Sequence, residues 1–204
     1  MYKIFLILCL FPILNLNAQL GPGNTAIPFS LKNVDGKTIS LYSLEDMNGA
    51  ILVFTCNSCS YSKSYEERIN QLHKKYAPKG FPVIAINPND PKIDTKDSYE
   101  NMVKYFNEKK YSFYYLQDIT QEIAKAYDVQ ELPYVFLLQK YTGGNWGVEY
   151  TGAIDDSLQN NQKIKNRYVE TAIQQIQDSV EVNPTSTKTI GCGIKWRGSN
   201  NTNK

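Results

Sequence analysis

The sequence predicts an α/β sandwich built on a mixed sheet, and three observations carry that reading. Ile51-Leu52-Val53-Phe54 and Val83-Ile84-Ala85-Ile86 are continuous apolar runs, as strands buried on both faces would be. Between them Tyr65, Ile69, Leu72 and Tyr76 recur at helical spacing, which places one helix between two neighbouring strands. Farther on, Tyr134–Leu138 and Val148–Thr151 flank Gly143-Gly144-Asn145, the composition of a strand hairpin.

The remaining elements follow in order. Phe29–Leu41 reads as an N-terminal hairpin turning at Asp35-Gly36. Cys56–Tyr76 is a helix, ended by Pro78 and Gly80. Asn87–Lys96 is a polar loop broken by proline, and Tyr99, Met102, Val103 and Phe106 mark an inserted helix. Phe113–Leu116 is a short strand, and Ile119, Ile123 and Tyr127 mark a short helix. Pro133 opens the Tyr134–Leu138 strand. Val169, Ala172, Ile173, Ile176 and Val180 lie on one face of a last helix. From Pro184 the chain is polar and expected to be loosely attached, apart from an island at Gly191–Trp196.

Composition narrows the function. The 204 residues carry 22 basic and 20 acidic side chains, a net charge of +2, so nothing marks a nucleic-acid surface. A single His argues against Cys-His or Ser-His catalysis. Lys3, the apolar run Ile4–Leu14 and the small residue Ala18 form the pattern of a secretory signal over residues 1–18. The run is too short to span a bilayer as a helix. The expected division is therefore a leader at 1–18, a domain at 19–183 and a tail at 184–204 carrying Cys192. Cleavage removes Cys9 and leaves Cys56, Cys59 and Cys192 in an exported, periplasmic protein, where disulfides persist.

Cys56-Asn57-Ser58-Cys59 is the informative motif, because it follows a buried strand and opens a helix. Helix N-termini favour anions, so a thiolate at Cys56 is expected to be stabilised there. Cys59, one turn along, is placed to resolve a mixed disulfide formed at Cys56. Cys56 is thus expected as the exposed nucleophile and Cys59 as the buried resolver. A structural disulfide between the two would restrain little of the unfolded chain. Metal binding would need more ligands than Cys192 and His73 supply, and covalent haem would need His where Ser60 stands. No metal and no cofactor are expected.

The order of elements, with Thr55–Tyr61, Ala85–Asp90, Pro133–Phe136, Gly152–Asp156 and Gly191-Cys192-Gly193-Ile194-Lys195-Trp196, resembles the exported AhpC/TSA-type members of the thioredoxin-like superfamily. The resemblance covers nearly all of the chain beyond the leader. It implies a thioredoxin-like fold with helices on both faces of the sheet and a cis bond at Leu132-Pro133. It also implies that the Leu132 backbone pairs with an extended substrate. The implied activity is thiol–disulfide exchange at Cys56 and Cys59. The partners would be a protein or small-molecule disulfide and an exported or membrane electron donor, with the protein itself a monomer.

Two departures from that group matter. Ser58 and Ser60 replace a usual His and Pro, so Cys56 should be less acidic than where a His stands beside it. The strand before the motif, Ala50–Thr55, lacks a buried acid, which leaves water, Thr55 or Glu131 to deprotonate Cys59. A peroxiredoxin-like thiol peroxidase is the enzymatic alternative, although Val53 stands where a Thr would precede a peroxidatic Cys56. A binding or sensing module is the non-catalytic alternative. Cys192 is open to three readings: an inert docking residue, a third redox thiol within reach of Cys56 or Cys59, or an intermolecular bridge. His73 and Lys63 read as surface residues, and Asp155-Asp156 as the cap of a turn.

Overall fold

The computed structural model describes residues 20–158 and 163–199. The leader expected at 1–18 lies outside the described residues. The elements are β1 (Ser30–Asn33), β2 (Thr38–Ser40), β3 (Gly49–Phe54), α1 (Ser60–Tyr76), β4 (Val83–Asn87), α2 (Tyr99–Lys109), β5 (Tyr114–Gln117), α3 (Glu122–Ala126), β6 (Glu131–Leu132), β7 (Tyr134–Lys140), β8 (Trp146–Gly152), α4 (Tyr168–Gln177) and β9 (Cys192–Gly193).

Among the described residues seven strands form one mixed sheet in the order β2-β1-β5-β4-β3-β7-β8. β3 runs parallel to β4 and antiparallel to β7, and every one of its residues is buried. That position explains its unbroken apolar sequence, since neither face meets water. Alternate residues feed two cores. Leu52 and Phe54 pack with Ile84, Ile86, Phe136, Ala124 and Tyr127 on one face. Ile51 and Val53 pack with Tyr65, Ile69 and Leu72 of α1, Met102 of α2 and Ala172 of α4 on the other. Helices thus cover both faces, and the expected α/β sandwich is the one formed.

Several boundaries differ from expectation for local reasons. α1 begins at Ser60, with Cys59 in extended conformation as its N-cap residue, so Cys56 precedes the helix. α4 stops at Gln177 because Ser179 adopts a left-handed backbone, and Val180 is exposed. α3 starts at Glu122 and leaves Ile119 exposed. The chain after Pro184 is better attached than expected. Thr151 N–H donates to Thr185 C=O at 3.0 Å, and Thr187 N–H donates to Thr151 C=O at 3.0 Å, tying this segment to β8. His73 is not a free surface residue: its Nδ1 accepts the Val83 N–H at 3.2 Å, joining α1 to β4. Burial holds its imidazole below the ordinary histidine pKa. Asp155 does cap a turn, accepting from Ser157 N–H at 2.9 Å, and also pairs with Arg68.

Candidate redox site

The loop from β3 to α1 carries Cys56 and Cys59 at the edge of the core that also holds α3. Cys59 is disulfide-bonded to Cys192, 133 residues later, with 6.0 Å between the Cα atoms. Among the described residues Cys56 is the free thiol. The bonded pair in this structure is therefore not the Cys56–Cys59 pair that the motif suggested, and Cys192 lies at the site. Cys192 is thus within disulfide range of the motif, bonded to Cys59.

Cys59 occupies the helix mouth, where orphan N–H groups and the positive dipole end favour an anionic sulfur. The sequence expectation places Cys56 there, but the helix starts at Ser60, four residues later. Cys56 is not exposed: both motif cysteines retain only 3% of their accessible surface. Its Sγ lies 3.9 Å from Ser62 Oγ and 3.8 Å from Ser58 Oγ. Burial pushes the Cys56 thiol above its ordinary pKa, and the nearby Asp97 charge adds to the rise, against the opposing pull of the hydroxyls.

A buried acid, Asp97, stands beside the motif although strand β3 has none. It is fully buried just ahead of α2 and gathers four donors. Asn57 N–H and Asn87 Nδ2 donate to Oδ1 at 2.8 and 3.0 Å. Ser58 Oγ and Asn89 Nδ2 donate to Oδ2 at 2.6 and 2.9 Å. Four bonds offset the cost of burying a carboxylate and fix the loop that presents both cysteines. Nothing in the periodicity singled Asp97 out, because it closes a polar loop. The one local signal is its place directly before the capping residue Ser98, whose Oγ accepts from Asn101 N–H.

Leu132 and Pro133 complete the site. Their peptide bond is cis, as the resemblance implied. The Leu132 carbonyl oxygen lies 3.5 Å from Cys59 Sγ. β6 pairs antiparallel with β9, with Leu132 opposite Cys192 and Glu131 opposite Gly193. The Leu132 backbone is thus paired with this chain's own tail. Glu131 accepts from the Thr189 hydroxyl, which ties it to the tail rather than to Cys59.

The tail also brings a cation, Lys195 of the Gly191–Trp196 island, to the cysteine loop. Lys195 Nζ donates to Ser58 Oγ at 2.8 Å and to Asp94 Oδ2 at 2.6 Å. Lys63, by contrast, is exposed. Among the described residues no group of three or more His, Cys, Asp or Glu is placed to hold a metal ion.

Comparison with known proteins agrees with this geometry. The AhpC/TSA family model matches residues 22–142, more than half of the chain. A curated relative, the thiol-disulfide oxidoreductase ResA of Halalkalibacterium halodurans, is 24% identical over 136 residues, covering 67% of this chain and 72% of the relative. The chain spans 64% of the length of other curated relatives of the same name. The crystal structure of an uncharacterized conserved protein from Geobacillus kaustophilus is 33% identical, with a TM-score of 0.78 over 90% of this chain and 96% of that one. The thioredoxin domain of a thiol-disulfide oxidoreductase from Bacteroides vulgatus shares the fold, with a TM-score of 0.52 at 17% identity over 64% of this chain and 89% of that one. The matched family model and the structural likeness make this chain a member of the AhpC/TSA family with a thioredoxin-like fold.

Proposed function

We propose that the protein is an exported thiol–disulfide oxidoreductase whose working sulfurs are Cys59, Cys56 and Cys192. The observation that carries this is the Cys59–Cys192 disulfide lying against the Leu132 carbonyl, with the free thiol Cys56 in the same short loop. A dithiol donor reduces that disulfide, leaving two thiols here and a disulfide on the donor. The Cys59 thiolate then attacks a substrate disulfide and expels one substrate sulfur as thiolate. Attack on Cys59 by Cys56 or Cys192 expels the second and restores an internal disulfide. The substrate is a protein or small-molecule disulfide, and the relative potentials of the partners set the direction. Export rests on Lys3, the Ile4–Leu14 run and Ala18, and is tested by sequencing the mature N-terminus.

The test is turnover of insulin disulfides in the presence of dithiothreitol. Cys59→Ser should lose at least roughly a hundredfold in rate, since no other sulfur sits at the helix mouth. Wild-type turnover by Cys59→Ser would overturn the reading. A thiol peroxidase is the second reading, favoured by the bond from a helix-start cysteine to a distant one. Rapid hydrogen peroxide consumption that forms Cys59–Cys192, with no insulin reduction, would select it.

A further inference from the structure

The segment 191–197 is held the way a bound peptide is held. Asn89 Oδ1 accepts the Lys195 N–H at 2.9 Å. The Lys195 carbonyl accepts from Asp90 N–H at 3.0 Å and from Gln121 Nε2 at 2.9 Å. Gln121 Oε1 in turn accepts the Arg197 N–H at 2.7 Å. Asn89 and Gln121 are 2% and 1% exposed, so they reach the tail backbone from fixed, dry positions, with Asn89 Nδ2 also held by Asp97 and Gln121 Nε2 also donating to Pro88 C=O at 2.6 Å. Gln121 does this from a left-handed backbone at φ 64, a conformation that costs a non-glycine residue energy. With the β6–β9 pairing, this clamp reads a backbone that is extended at Cys192–Gly193 and turns at Lys195, where Trp196 N–H donates to Ile194 C=O at 3.1 Å.

Side-chain selection is added at three positions. A Cβ on Gly191 would stand 2.3 Å from the Leu132 carbonyl oxygen, so only glycine fits directly before the cysteine. Ile194 is buried against the core that holds Cys56 and Cys59. Lys195 meets Asp94 and Ser58.

We propose that the groove beneath the tail is a peptide site, selective for a cysteine segment of the pattern Gly-Cys-x-aliphatic-Lys, with residues 191–197 as its tethered resident. Resting on the oxidoreductase reading, this names the substrate class as a polypeptide disulfide bearing that pattern. The tail competes at the high effective concentration of a tethered ligand. Reduction of Cys59–Cys192 removes the covalent hold, and an incoming segment then takes the same backbone bonds.

The test uses the full-length chain with Gly191→Val, whose added side chain drives the tail off Leu132, in reductant. The probe is the thiol-free synthetic peptide Thr-Ile-Gly-Ser-Gly-Ile-Lys-Trp, followed by calorimetry. It should bind. Replacing its first Gly by Ala, or its Lys by Glu, should weaken binding by roughly tenfold or more, and so should adding Gln121→Ala to the protein. No binding, or equal binding of all three peptides, would overturn the proposal. If Gly191→Val does not fold, the reduced wild-type chain is offered the cysteine forms of the peptides as activated mixed disulfides. Faster Cys59 adduct formation with the Gly-Cys than with the Ala-Cys peptide supports the site, and equal rates overturn it. Insulin turnover is measured in parallel: selective peptide binding without turnover sinks the oxidoreductase reading alone, and turnover with unselective binding sinks the groove alone.

Discussion

Ser58 Oγ stands 2.6 Å from Asp97 and 3.8 Å from Cys56 Sγ, and its single proton can serve only one of them. The shorter bond, to a charged acceptor, takes it. Cys56 therefore sits beside a hydroxyl whose proton is committed elsewhere and near a negative charge, in a buried pocket. Burial first, and then the charge, favour the protonated thiol, and committing the Ser58 proton to Asp97 weakens the opposing pull of that hydroxyl.

Asp97→Asn should accordingly lower the Cys56 pKa and speed its alkylation at neutral pH. The measurement is the pH dependence of Cys56 labelling, resolved by mass spectrometry. An unchanged pH profile would show that burial alone sets the thiol. The variant should also cost about 1–3 kcal/mol of stability, because an amide cannot accept all four of the hydrogen bonds that the carboxylate accepts.

The Cys59–Cys192 bond closes a loop that spans most of the domain. Restricting so long a loop in the unfolded chain is worth about 5 kcal/mol in the chain-entropy model, and about 2–4 kcal/mol in typical practice. Cys192→Ser should lower stability in urea by an amount in that range under oxidising conditions. In reductant the variant and the wild type should converge. A gap that persists in reductant would mean that Cys192 contributes packing rather than a cross-link.

Much of this architecture was legible in the sequence. The apolar runs of β3 and β4 and the four-three-four spacing in α1 report burial directly, because those elements face the core as regular strands and a regular helix. The strand–CxxC–helix junction, Leu132, Pro133 and the Gly191–Trp196 island were legible too. What periodicity does not encode is which sulfur finds which. That depends on where the β6–β9 pairing sets the tail, and two residues of strand leave no pattern. Asp97 and Gln121 were invisible for a related reason, and Asn89 was legible only as a member of the Ala85–Asp90 segment, without its contacts. Each is a polar residue in a loop or at a helix start, and only tertiary structure shows that it is buried.

Alkaline conditions should destabilise the protein. Burial raises the pKa of Cys56, Tyr115, Tyr127 and Tyr150. The folded state therefore keeps protons that the unfolded state releases above the ordinary values of 9.0 for Cys and 10.0 for Tyr. Their contribution is fully present below about pH 9 and is lost as pH rises through the raised values. The urea midpoint should fall between about pH 9 and pH 11. Tyr127→Phe should flatten that fall, while losing the 2.7 Å bond from its hydroxyl to the Ile27 carbonyl. A midpoint independent of pH over this range would contradict the assignment.

Lys195 ties the tail to the cysteine loop, and its removal should loosen the covalent site without touching a sulfur. Its ammonium bridges Asp94 and Ser58. With side-chain exposures of 31% and 25%, the Lys195–Asp94 pair is partly screened by water, so about 0.5–1 kcal/mol is a fair expectation for its strength. Reaching Cys59 from solvent requires the tail to lift, because Cys59 is buried and Leu132 is paired with Cys192. Lys195→Met should therefore raise the rate at which dithiothreitol reduces Cys59–Cys192 by about two- to fivefold, the kinetic equivalent of that energy. Added salt should speed reduction of the wild type and leave the variant nearly unchanged, since screening acts on the charge that the variant lacks. Equal reduction rates in wild type and variant, at low and high salt alike, would show that the β6–β9 pairing and the Asn89–Gln121 contacts hold the tail without help from Lys195.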